Sequence, residues 1–194
     1  MNNIKEYVPS FFDNGIDFSV NTSSELYIRQ LINQDNGVIP RPLLDNLESL
    51  AKNIHQNYNQ MQLLRNPASQ LEYPTWDLLP DYLKYFNIRQ ARYIADKLKL
   101  IGCYFDNNKY SKSPVTSFSK EEIEIMSKYE HDLWITDRLR SGWKRGTNID
   151  TKNKITPYLV PYEELTEEIK DLDRDTNINI IQLLESIQMK VYRR

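Results

Sequence analysis

The sequence predicts a mainly α-helical protein built as a tandem pair of related helical units with short terminal strands, and three observations lead there. Apolar residues recur at spacings of three, four and seven over long stretches, the mark of amphipathic helices. One frame occurs twice: with His55 set on His131, 76 residues later, LAKNIHQNYNQMQLLR lies over MSKYEHDLWITDRLRS. Each copy has a lysine three residues before the histidine and a large aromatic three after it, Tyr58 or Trp134. Further on, Leu79 and Leu165, Leu83 and Ile169, Lys84 and Lys170, Leu98 and Leu184, and Ile101 and Ile187 correspond at a spacing of 86, so the first copy is about ten residues shorter through its middle. Self-similarity of this kind indicates one structural unit used twice. Finally, Cys103-Tyr104-Phe105 and Lys190-Val191-Tyr192 end the two copies as short strands that are candidates to pair.

The elements follow in order. Residues 1–42 are punctuated by Pro9, Gly15, Gly37, Pro40 and Pro42, and only SSELYIRQLINQ reads as a short helix. This stretch is expected to be an irregular lead-in packed on the repeats. Leu44, Leu47, Leu50, Ile54, Met61 and Leu64 predict a helix within Leu43 to Leu64 that Asn66-Pro67 ends. Asn87 to Leu100 is a second, with Gly102 at its C-terminal cap. The polar stretch Asp106 to Ser119 is the natural linker. A third helix, capped by Ser117 or Ser119 with Glu121 and Glu122 in its first turn, runs toward Gly142 with Met126, Tyr129 and Leu133 facing the core. Trp143 to Tyr162 reads as a long loop, Thr166 starts a helical turn, and Asp173 or Asp175 caps a last helix holding Ile178, Ile181, Leu184 and Ile187.

Composition narrows the function classes. The chain has 194 residues, 40% hydrophobic and 27% charged, as an ordinary globular protein does. A net charge of −2 offers no global attraction to phosphate backbones or anionic membranes, so neither nucleic acid nor membrane is an expected partner. One cysteine, Cys103, cannot form an intramolecular disulfide. No apolar run approaches the ~20 residues of a membrane helix, and MNNIKEYVPSFF lacks the features of a signal peptide. A soluble, cytoplasmic protein is expected.

EHDLWITDRLRSGWKRG, the Asp150 and Lys152 to Lys154 segment, PYLVPYEEL and DRDTNINIIQLLESIQMKV occur in that order. Together they resemble the ryanodine receptor repeat domain (RyR domain), from Phe118 to Arg193, through H-x-x-W, G-W-x-x-G and L-V-P-Y. The bacterial or phage type, a small free-standing protein, is the form suggested. Residues 43–105 look like a degenerate member that keeps the histidine and the aromatic but lacks G-W-x-x-G and L-V-P-Y. The division implied is a lead-in at 1–42, a degenerate repeat at 43–105, a linker at 106–118 and a well-matched repeat at 119–194. The resemblance implies two repeats packed about a pseudo-two-fold axis, and an adenine nucleotide held beside the tryptophan of H-x-x-W, here Trp134.

The residues themselves support a binding site in the same place. An exposed indole offers a purine a stacking face worth about 1–3 kcal/mol, and Arg138, one turn on from Trp134, presents a planar fork suited to phosphate. Trp143, Lys144 and Arg145 follow, and Lys152 and Lys154 keep the loop basic within an acidic protein. The candidate ligand-binding residues are therefore Trp134, Arg138, Trp143, Lys144, Arg145 and His131. Structural duties compete with each. The two tryptophans would serve equally as core residues pinning the loop. His131, recurring as His55, suits a bond from side chain to backbone. Arg138 and Arg140 would pair with Glu130, Asp132 or Asp137 on the helix surface, and Asp150 would cap a turn.

No catalytic set emerges. Two histidines and one cysteine do not supply the usual zinc spacings, and nucleophile-elbow and phosphate-loop patterns are missing from the sequence. Asp171, Asp173, Asp175 and Asn177 fall short of a calcium loop, because Thr176 and Gln182 stand where its glycine and bidentate glutamate belong. The expectation is a non-enzymatic module without cofactor or metal that recognises a nucleotide or another small anion. The alternative is a protein-interaction, self-associating or structural module, for which 13 tyrosines and 3 tryptophans would supply anchors.

Overall fold

A computed structural model describes residues 28, 29, 38–68, 70–107, 113–150 and 152–194. Its described part is mainly helical. Helix α1 (Arg41–Leu44) is a single turn, and α2 (Leu47–Arg65) is the long helix of the first half. A 3-10 turn (Trp76–Leu78) leads into α3 (Asp81–Arg92), α4 (Ile94–Leu100) and β1 (Cys103–Asp106). The second half runs through α5 (Lys120–Arg140), β2 (Lys144–Arg145), β3 (Ile155–Thr156), a 3-10 turn (Tyr162–Glu164), α6 (Glu167–Ile178), α7 (Ile180–Glu185) and β4 (Lys190–Arg193). The order long helix, 3-10 turn, helix, short helix, strand thus occurs twice. The 3-10 turns and the two helices after them each start 86 residues apart. Among the described residues no helix is long and apolar enough to cross a membrane.

Local chemistry explains most boundaries. Ser119 closes a capping box on α5, accepting from the Glu122 amide while the Glu122 carboxylate takes the Ser119 amide. At the other end Gly142, at φ 80°, forms a Schellman turn: its amide reaches the Leu139 carbonyl and the Trp143 amide reaches Arg138 O. That turn brings Trp143 back over the helix it has just left. Gly146 is needed for closeness instead, since a Cβ there would lie 2.2 Å from Ile155 Cγ2 across the β2–β3 pair. Both glycines of G-W-x-x-G therefore have backbone reasons.

The core is continuous through both halves. Leu43, Leu47, Leu50, Ala51 and Ile88 join Ile94, Leu98, Met126, Ile180, Leu184 and Val191, all essentially inaccessible to solvent. Strands β1 and β4 pair antiparallel, with Phe105 opposite Val191, and close the far end. Two ion pairs are buried between the halves, Lys97 with Glu130 and Arg89 with Asp137.

Several expectations from sequence are corrected. The second helix does not begin at Asn87: Pro80 starts α3 at Asp81, and a break at Tyr93 separates it from α4. Within Asp81 to Phe86, Leu83 and Phe86 line a cleft while Tyr85 packs against the core. Asp173 and Asp175 cap nothing. Both lie inside α6, and the break falls at Asn179. Asp175 pairs with Arg65, and Asp173 is half-buried beside His131. Glu130 and Asp137 are buried partners of the first half, not surface partners of Arg138 or Arg140. The expected long loop after Trp143 contains the short parallel pair β2–β3, with Asp150 accepting from Asn153 in a turn between them. Most of the lead-in at 1–42, including most of its expected helix, lies outside the described residues, as does the middle of the linker at 106–118.

Candidate functional site

Trp134 and its neighbours line a cleft of about 830 Å³. One wall comes from α5 and the segment after it, with Trp134, Arg138, Trp143, Ile149, Thr156 and Tyr158. The other comes from the first half, with Tyr58 and Gln62 on α2, Tyr73 in the loop, and Phe86 and Gln90 on α3. Such a volume falls in the ordinary range for small-molecule sites.

The arginine at the centre is held by aromatic faces. The Arg138 guanidinium lies 4.4 Å from the Phe86 ring centre, 4.5 Å from Trp143 and 5.2 Å from Trp134. Cation–π contacts of this kind contribute roughly 0.5–2 kcal/mol each. Their further effect is to orient the fork, since rings from α3, α5 and the Schellman turn fix its plane together. Arg138 and Glu72 are the only charged residues lining the described cleft; the rest of the lining is aromatic, amide or aliphatic apart from the Thr156 hydroxyl.

His131 lies beneath the wall. It is buried and stacks on Trp134 at 5.7 Å with 13° between the planes. Its Nε2 donates to the Val160 carbonyl at 2.8 Å, which ties the L-V-P-Y segment to α5. Burial depresses its pKa below the ordinary imidazole value, against a smaller opposing effect of that hydrogen bond and of Glu130 and Glu163. The neutral ring is therefore the resident form at neutral pH.

The remaining candidates are placed differently. Lys144 and Arg145 form β2, are exposed, and do not line the cleft; Arg145 stands 3.9 Å from Glu164. Lys154, at φ 56°, turns its ammonium to the Ser141 carbonyl at 2.8 Å and so closes the end of α5. Trp134, Arg138 and Trp143 are thus brought together, His131 backs them from the core, and the two residues of β2 lie apart.

Sequence reasoning did not place Tyr58, Tyr73, Phe86, Gln62 or Gln90 at this site. Tyr58 carried the one available signal, because it holds the position of Trp134 in the repeated frame. Tyr58 is 53% exposed on the opposite wall. The others come from a loop and a helix face with no marked pattern.

The histidines correspond in surroundings as well as in sequence. His55 is buried, and its ring lies 6.4 Å from Trp76 in the first 3-10 turn, as His131 lies 6.0 Å from Tyr162 in the second. Asn59 Nδ2 donates to His55 Nε2 at 3.2 Å and to the Tyr73 carbonyl at 2.9 Å, so here too the incoming loop is fastened at the histidine.

A family model, described as RyR domain, matches residues 110–193. That span contains the histidine-backed tryptophan, both glycines of G-W-x-x-G, the L-V-P-Y segment tied to His131, and β4. The second half of the chain, residues 110–193, is thus an RyR domain.

Proposed function

We propose that this RyR-domain protein is a non-enzymatic binding module that takes a nucleotide, or a similar planar anionic ligand, in the cleft between its halves. The observation that carries the reading is the convergence of Trp134, Trp143 and an aromatically oriented Arg138 on one wall, facing Tyr58 across an open cleft of nucleotide-accommodating size. A base stacks on the indole, the amide groups of Gln62 and Gln90 serve its edge, and Arg138 meets a phosphate. Lys144 and Arg145, exposed on β2, attract an anion without touching it at rest. Adenine is the first base to try, since RyR domains that hold nucleotides do so beside this tryptophan.

The same reading includes the architecture. We infer that the halves are copies of one unit, related by a pseudo-two-fold axis, with residues 43–105 and 119–194 as the repeats. The register supports this: Phe105 faces Val191, its partner at the spacing of 86, which is how equivalent strands meet about a two-fold. A cytoplasmic location and a bacterial or phage source belong to this reading too.

Thermal denaturation with AMP, ADP and ATP tests the function. A nucleotide at 100 times its Kd raises stability by about 2.7 kcal/mol, and Trp134→Ala is expected to abolish that rise while keeping a helical circular dichroism spectrum. Absence of any shift with these and other nucleotides removes the reading. The interaction-module alternative then takes its place, with self-association measured by sedimentation.

A further inference from the structure

The charges lining the cleft limit what it can hold. Among its described lining residues there is one cation, Arg138, and one anion, Glu72. The rings of Phe86, Trp134 and Trp143 fix the Arg138 fork, so a phosphate has one place to dock. Neither direction onward from that place offers a second available cation. Along the segment after α5, Lys144 and Arg145 do not line the cleft, Arg145 stands 3.9 Å from Glu164, and the Lys154 ammonium donates to the Ser141 carbonyl. On the other side lies a groove that shares Tyr58, Gln62, Asn87 and Gln90 with the cleft; the cation it adds, Arg65, is paired with Asp175.

Glu72 lies on the segment between α2 and the first 3-10 turn, in the first half of the chain. That segment is fastened next to it, where Asn59 Nδ2 donates to the Tyr73 carbonyl at 2.9 Å. The Glu72 side chain is exposed, and no described residue forms an ion pair with it. We infer that the cleft takes a planar ligand bearing a single phosphate, as a nucleoside monophosphate does, and that Glu72 is its specificity-determining residue, turning away longer phosphate chains. A monophosphate places its charge on Arg138. A second and a third phosphate add negative charge that no lining cation meets, in a cleft where Glu72 already supplies negative potential. Selectivity of this kind comes from an unfavourable charge set against the competing ligand.

This inference rests on the nucleotide reading, and the test separates the two. AMP, ADP and ATP are titrated into the full chain without magnesium, which would mask phosphate charge. The same titrations are made with Glu72→Gln, Glu72→Lys and Glu185→Gln, the last removing an equal charge from the exposed end of α7, outside the cleft. AMP is expected to bind several-fold more tightly than ATP, with ADP between. Glu72→Gln is expected to narrow that gap and Glu72→Lys to reverse it, while Glu185→Gln keeps it. ATP binding as tightly as AMP in the natural chain overturns the inference, and so does a gap that Glu72→Gln leaves as wide as Glu185→Gln does. In either case the nucleotide reading survives if binding is still lost in Trp134→Ala. If none of the three nucleotides binds the natural chain, that reading falls and this inference falls with it.

Discussion

The two halves share a frame and differ in what fills it. Leu50 and Met126, His55 and His131, Leu79 and Leu165, Ile94 and Ile180, and Leu98 and Leu184 occupy corresponding buried places. Elsewhere one half has polar groups where the other has alkyl ones. Ala51 and Ala91 correspond to Ser127 and Asn177, which are buried and joined by a hydrogen bond of 3.2 Å. Between the halves, Ile54 and Leu183 line a groove at one end, and their counterparts Glu130 and Lys97 form a buried ion pair at the other. Tyr58 and Gln62 likewise correspond to Trp134 and Arg138. In the proposed repeat, shared apolar positions define the frame, and the polar exchanges distinguish the halves.

The largest expected effect comes from the buried ion pair. Glu130→Ala leaves Lys97 charged with 0% exposure and should cost about 3–5 kcal/mol, read by chemical denaturation. Copying the other end of the interface with Lys97→Leu and Glu130→Ile together should recover most of that loss; if the double change is as damaging as the single, the two ends are not equivalent. Next, Ser127→Ala removes one of the two acceptors of the buried Asn177 amide, which keeps its bond to the Asp173 carbonyl, and should cost roughly 0.5–1.5 kcal/mol. Combining it with Asn177→Ala should cost less than the two single losses together, and strict additivity would break the proposed coupling.

The histidines give a smaller effect, seen in pH. Burial is the largest cause of the depressed pKa of both His55 and His131. The unfolded chain therefore takes up protons first as pH falls through about 6.5, and stability declines from there down to the lower folded values. Denaturation midpoints of His55→Gln and His131→Gln should fall less steeply over that window than those of the natural chain. An unchanged slope would show that neither ring is held neutral. The smallest effect is expected from Tyr58→Trp, which gives the first half the second half's aromatic and should tighten ADP binding a few-fold by fluorescence titration, with stability nearly unchanged.

Much of the fold was legible because helices write their burial into spacing. Met126 and Leu133 face the core as their periodicity required, and Ser119 caps α5 through residues whose chemistry admits few other uses. Cys103 and Val191 are buried in the two short strands expected at the ends of the copies, and those strands pair. What escaped was buried charge. Glu130 and Asp137 read as surface residues because an isolated carboxylate is costly to bury, and the cations that make burial tolerable lie far away in sequence. The cleft was legible on one wall only. Trp134, Arg138 and Trp143 are close along the chain, whereas Phe86 and Tyr73 reach them through tertiary packing that no local pattern encodes.

Calorimetric titration of the full chain with ADP puts the cleft to its most direct test, alongside Trp134→Ala as control. One site per chain, lost in the variant while its helical spectrum persists, is the predicted result. Equal heats from both proteins, or none from the natural one with any nucleotide, would contradict it.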